Sequence, residues 1–117
     1  MDDEKIIIIT SPITLSFLKD VAKERYGDLV KAVVDVEKNI MAIGGEMHAD
    51  EEAVLLENGC EQQNLWGINL YPDKSKDEMV EFDSIINLRP RQENRSREID
   101  NLERQIQILE VVKKLVA

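Results

Sequence analysis

The run KIIIIT, residues 5–10, constrains the fold more than any other feature of the chain. Four consecutive isoleucines are stiff at χ1 and favour an extended backbone. A continuous apolar run cannot leave one strand face in water, so it describes a strand covered on both faces. The chain must therefore pack other elements over its sheet. With aromatic residues at only 4% of the composition, the core between those layers has to be aliphatic.

The rest of the chain offers suitable elements. TSPITLSFLKDVAKERYG reads as a helix, with Ser11 as N-cap, Pro12 at the first helical position and Gly27 as the stop. Ile13, Phe17, Leu18, Val21 and Ala22 give it one apolar stripe. LVKAVVDV and IMAIGG flank the short polar turn EKN and predict a hairpin. HADEEAVLLENG predicts a short helix with Asp50, Glu51 and Glu52 at its positive end and Gly59 beyond its last turn. NLWGINLY reads as a strand ending at Pro72, DKSKDEMVE as a polar loop, and FDSIINLR as a further strand. DNLERQIQILEVVKKLV is the last helix, where Asp100 and Glu103 form a capping-box-like start. The order β-α-β-β-α-β-β-α predicts one α+β domain over residues 1–117, a mixed five-stranded sheet with three helices.

Charge and cysteine content narrow the function classes. A formal charge of −9 argues against binding long nucleic acids, whose phosphates demand cationic surface. The start MDDEKIIII is acidic with a short apolar run, unlike a signal peptide, and no stretch has the length of a membrane span. A single cysteine, Cys60, fits a reducing compartment, so a cytoplasmic protein without membrane attachment is expected. Cys60 follows Gly59 at a helix end, where no positive dipole would activate it, and reads as inert.

Three segments carry groups capable of chemistry. NLRPRQENRSRE holds four of the six arginines, Arg89, Arg91, Arg95 and Arg97, in an acidic protein. It precedes a helix N-terminus, where free N–H groups favour anions, and guanidinium forks match phosphate or carboxylate. Arg89, Gln92, Asn94, Arg95, Ser96 and Arg97 are the candidate anion-binding set; the competing reading pairs these arginines with the chain's own 24 acidic residues. GGEMHADEE contains the only histidine, His48, with Glu46 and Asp50 as acid/base partners. One histidine without a cysteine cluster or an HExxH pattern supports no metal, and no nucleotide or hydrolase motif calls for a cofactor. On the strand LWGINLYP, Trp66, Ile68 and Leu70 share one face and Leu65, Gly67, Asn69 and Tyr71 the other. If FDSIINLR pairs with it, Asn69 and Tyr71 join Asp83, Asn87 and Arg89 in lining a polar cleft.

AIGGEMHADEEAVLLENG, LWGINLYP and INLRPRQENRSREI together resemble a small prokaryotic family of uncharacterised single-domain proteins, a domain of unknown function. That resemblance spans nearly the whole chain and implies one domain, but lends no activity, cofactor or catalytic residue. The family pattern more usually carries a small residue in place of Arg91 and a glycine in place of Glu93, which makes Arg91 the weakest of the loop candidates.

Two functions are expected from these features. One is a small anionic ligand held by the 89–97 loop, with acid/base chemistry at His48. The other is a non-enzymatic interaction module, as in a homodimer, because Ile106, Ile108, Leu109, Val111, Val112, Leu115 and Val116 cover more of the last helix than one stripe.

Overall fold

The structure is a computed structural model that describes residues 5–117. Five strands, β1 (Ile7–Ile9), β2 (Val30–Asp35), β3 (Ile40–Ile43), β4 (Leu65–Leu70) and β5 (Val80–Glu81), form one sheet in the order β1-β3-β2-β4-β5. Three helices, α1 (Leu15–Arg25), α2 (His48–Glu57) and α3 (Leu102–Leu115), complete an α+β fold. The sheet is antiparallel at every pairing, which corrects the mixed sheet expected from sequence. Strands β1 and β2 do run in the same direction on either side of α1. The hairpin partner β3 inserts between them, so the crossover joins strands that are not neighbours.

The isoleucine run is covered on both faces except at Ile7, which remains 39% exposed on this edge strand. Ile9 joins the main core, built from Leu18 and Ala22 of α1, Val34, Met41, Trp66, Ile68 and Leu70 of the sheet, and Ile108, Val112 and Leu115 of α3. Ile6 and Ile8 pack on the opposite, smaller core under α2, with Val33, Ala42, Leu55 and Leu65. The predicted alternation of β4 holds: Trp66, Ile68 and Leu70 enter the main core, and Leu65 enters the smaller one.

The β2–β3 hairpin closes through Asp35, whose Oδ1 accepts from the N–H groups of Glu37 and Lys38 at 2.9 Å each. Asn39 takes the left-handed conformation (φ 58°) that its side chain tolerates better than most. Helix α1 starts later than its sequence suggests. Ile13 is drawn into a bridge with Val116, donating to the Leu115 carbonyl at 2.8 Å, so Thr14 rather than Ser11 caps the helix by accepting from Phe17 N–H. On α3 the cap is Asn101 rather than Asp100, accepting from the N–H of Arg104 at 3.0 Å.

The segment Phe82–Arg89 is not a strand. The ladder between β4 and β5 ends at the pair Asn69–Glu81. Beyond it, the side-chain amide of Asn87 replaces a neighbouring backbone: its Oδ1 accepts from the N–H of Gly67 (2.8 Å) and its Nδ2 donates to the Gly67 carbonyl (2.9 Å). Ser84 starts the 3₁₀ turn Ile85–Asn87 by accepting from Ile86 N–H. Its side chain fills the space over Gly67, where an added Cβ would sit 2.6 Å from Ser84 Cβ. Side-chain bonds to nearby backbone have here displaced a strand that β propensity favours. Among the described residues no helix is long and apolar enough to cross a membrane.

Candidate functional site

Polar side chains from five parts of the chain meet on the α2 side of the sheet, where α2 begins. Lys31 of β2 stands beside Asn69 of β4, which stands beside Glu81 of β5. Asn69 Nδ2 donates to Glu81 Oε1 (2.8 Å) and to the Asp83 carbonyl (3.2 Å), and the Tyr71 hydroxyl donates to the same Glu81 oxygen (3.1 Å). Asp83 Oδ1 in turn accepts from Arg97 Nε at 2.8 Å. The predicted residues Asn69, Tyr71 and Asp83 are thus joined to one another and to Arg97. Asn87 lies beneath them, fully buried, with its amide committed to Gly67 and to the Arg97 carbonyl.

His48, the first residue of α2, is buried over this cluster with Nε2 2.8 Å from the Ile68 carbonyl. A carbonyl can only accept, so Nε2 carries the proton and Nδ1 is the basic nitrogen of the neutral ring. Burial lowers the His48 pKa below its ordinary value, against the opposing effects of the Ile68 carbonyl and Asn69; Lys31 lowers it further and Asp83 raises it. The surrounding groups are therefore Lys31, Asn69 and Asp83. Glu46 is not joined to His48: it is exposed, its carbonyl accepts from the Tyr26 hydroxyl and its carboxylate lies 3.8 Å from Arg25 Nη1. Asp50 is half-buried on the same helix turn and makes no hydrogen bond with His48 among the described residues.

A group that sequence reasoning had assigned to helix-dipole compensation proves to be the most perturbed acid. Glu51 is fully buried, and burial holds its carboxyl well above the usual range, only partly offset by the Gly45 N–H that donates to Oε2 at 2.9 Å. Gly45 makes the room: a Cβ there would stand 2.7 Å from Glu51 Cγ. Lys31 was also missed, although its spacing within VKAVVD places it on the same strand face as Val33 and Asp35, a polar position on a buried strand.

The arginine segment divides by direction. Arg89 turns inward. Its Nε donates to the Ile86 carbonyl (2.9 Å), Nη1 to the Gln62 carbonyl (2.8 Å) and the Gln92 amide oxygen (3.2 Å), and Nη2 to the Leu65 carbonyl and Glu52 Oε2 (3.3 Å). Its Cζ lies 4.5 Å from the centroid of the Trp66 ring, which the guanidinium of Arg104 also covers at 4.4 Å. Gln92 is drawn to the same place, donating to the Gln63 carbonyl at 3.0 Å. Asn94 is buried and closes the loop on itself, donating to the carbonyls of Asn87, Ser96 and Glu98 and accepting from Asp100 N–H. Ser96 bonds to Asp100 Oδ1 at 3.2 Å. Arg91 and Arg95 point outward, exposed and without a partner among the described residues. Glu93 holds φ at 61°, in the left-handed region that favours glycine.

Cys60 is buried, and burial together with Asp35 pushes its thiol up to about 11, so it is not a nucleophile at neutral pH. No group of three or more potential metal-ligating side chains occurs among the described residues. No curated protein and no solved structure matches the chain. Residues 7–115 match a family described as Protein of unknown function (DUF5674), and the protein belongs to that family.

Proposed function

We propose that the protein binds a small ligand through one anionic group, phosphate or carboxylate, over the cluster where α2 begins, and that His48 exchanges a proton with it. The observation that supports this reading is the link from His48 and Asn69 through Asp83 to Arg97, which joins one residue from each of the three reactive segments. In this reading Arg97 and the unpartnered Arg95 supply the cationic donors, with Lys31 as the inner charge. Arg89, Gln92, Asn94 and Ser96 hold the loop in shape from beneath. The Arg97–Asp83 pair is half-exposed on both sides and so contributes only about 0–1 kcal/mol, which a ligand anion can replace. His48 is neutral with Nδ1 as its basic nitrogen, the state a proton acceptor needs at neutral pH.

The test is thermal unfolding at low salt across phosphate, sugar phosphates, nucleotides and small carboxylates. A ligand at one hundred times its dissociation constant stabilises by about 2.7 kcal/mol, or about 10 °C for a chain of this size. One anion class should raise the melting temperature, Arg97→Ala should remove most of the rise, and His48→Gln should reduce it. No rise with any anion in the unmodified protein refutes the reading.

A second reading rests on α3, where Leu102 (70% exposed), Ile106 (51%) and Leu109 (41%) form an i, i+4, i+7 stripe in solvent. Such a stripe suits self-association. A dimer in light scattering that Ile106→Glu returns to monomer supports it; a strict monomer removes it.

A further inference from the structure

A cavity of about 430 Å³ opens on the opposite side of the molecule, between the start of α1, the segment leading into β5 and the last two turns of α3. Its wall is aliphatic: Leu15, Val80, Leu109, Val112 and Val116 face it, with Met79. Its rim is basic. Lys74 and Lys76 come from the loop before β5, and Lys113 from α3. One acid, Asp77, accompanies these three lysines, in a protein whose formal charge is −9. The charge of the lining residues is therefore the reverse of the global one, with Asp73 and Glu78 flanking the two loop lysines in sequence, and two separate elements contribute to it.

We infer that this cavity binds a small amphipathic carboxylate, a medium-length acyl anion, with its chain against the aliphatic wall and its head group among the lysines. The size lies in the range of small-molecule sites, which are mostly apolar with a few polar groups that orient the ligand. A purely apolar occupant would leave the lysine rim without purpose, and a purely ionic one would leave the aliphatic wall in water. Lysine suits the head group because its ammonium moves on a flexible stem, so the three need not be preorganised. Lys74 is already steadied, its ammonium 4.4 Å over the Tyr71 ring. This site borders the one around His48 at Tyr71, whose ring Lys74 covers and whose hydroxyl donates to Glu81.

The experiment is calorimetric titration of the unmodified protein with butanoate, hexanoate and octanoate, with acetate and octanol as head-only and chain-only controls. Each methylene entering the cavity should tighten binding roughly fourfold, so octanoate should bind about two orders of magnitude more tightly than butanoate. Lys76→Gln with Lys113→Gln, both at the exposed rim, should weaken octanoate roughly tenfold and leave octanol unchanged. Val112→Phe should block both, and Arg97→Ala should affect neither. Absence of saturable octanoate binding, affinity independent of chain length, or indifference to the lysine substitutions overturns the inference. If the protein is dimeric and octanoate binds only to the Ile106→Glu monomer, the cavity is the seat of a second copy and the inference also fails.

Discussion

Arg89 provides the sharpest test of why an acidic protein concentrates its arginines. Its fork donates to three backbone carbonyls, one amide oxygen and the Glu52 carboxylate, while its flat face rests on Trp66. Both members of the Arg89–Glu52 pair are largely buried. Arg89→Ala would leave that carboxylate without its cation and the Leu65 carbonyl without this donor, and would open space beside an indole that is itself fully buried. Breaking a buried pair costs about 3–5 kcal/mol, because the remaining charge stays desolvated. For 117 residues the entropy of unfolding is about 0.25 kcal/mol per degree, so the melting temperature should fall by about 12–20 °C. Arg89→Lys should recover little, since a single ammonium cannot reach acceptors that a planar fork spans. Arg95→Ala, at an exposed and unpartnered side chain, should stay within about 2 °C of the unmodified protein. Calorimetric melting of the three variants decides the matter. An Arg89→Ala protein that melts within a few degrees of the original would refute the strut, and would return Arg89 to the residues available to a ligand.

Four further outcomes follow from the same geometry. Asn87→Ala should cost about 2–4 kcal/mol in urea denaturation without a change in m, because both polar groups of Gly67 lose their partner; Gly67→Ala should cost about 1–3 kcal/mol by driving a Cβ into Ser84. Glu93→Gly should stabilise by about 0.5–1 kcal/mol, visible as a melting rise of a few degrees, since glycine alone adopts φ 61° without steric cost. The two shifted groups of α2 should give opposite pH limbs: His48, with its pKa lowered on folding, contributes stability present above about pH 6.5 and lost as pH falls through its lowered folded value. Glu51, with its pKa raised, contributes stability present below about pH 4.3 and lost as pH rises through its raised folded value. Melting curves of His48→Gln and Glu51→Gln from pH 4 to 9 should each lack one limb, and Glu51→Gln should exceed the original at pH 8 but not at pH 4.

What could be read from the chain is what local chemistry controls. Four isoleucines required cover on both faces, and three received it, Ile9 on one face and Ile6 and Ile8 on the other, while Ile7 on the edge strand stays 39% exposed. The EKN turn needed an aspartate before it and a residue tolerant of positive φ at its end, and Asp35 and Asn39 stand there. The period of two in LWGINL needed no partner to be visible. Failures of expectation occur where a distant residue outbids the local preference. Ile13 would extend α1 but pairs with Val116, more than a hundred residues away. Phe82–Arg89 alternates like a strand, yet Ser84 and Asn87 bond to nearby backbone and to Gly67 instead. Glu51 stands where a helix dipole welcomes an acid, but Gly45, six residues earlier, opens the space that buries it.

The arginine segment combines both kinds of control, which is why its four cations have different roles. A turn over Pro90–Gln92, closed by reciprocal backbone bonds between Arg89 and Asn94, reverses the chain within a few residues. Arg89, on the inner side of that reversal, falls beneath the loop and donates to the carbonyls of Gln62, Leu65 and Ile86. Arg91 at the tip and Arg95 just past the closure are turned to water. Arg97 lies on the return path, where its own carbonyl is pinned by Ser84 N–H and Asn87 Nδ2, so its side chain is delivered to Asp83 at the border of the His48 cluster. Clustering in sequence thus reflects two demands on one short loop: an inward cation that fixes its shape, and outward ones whose positions that shape determines. Removing the first should abolish the arrangement of the others, whereas removing Arg95 or Arg97 should leave the loop intact.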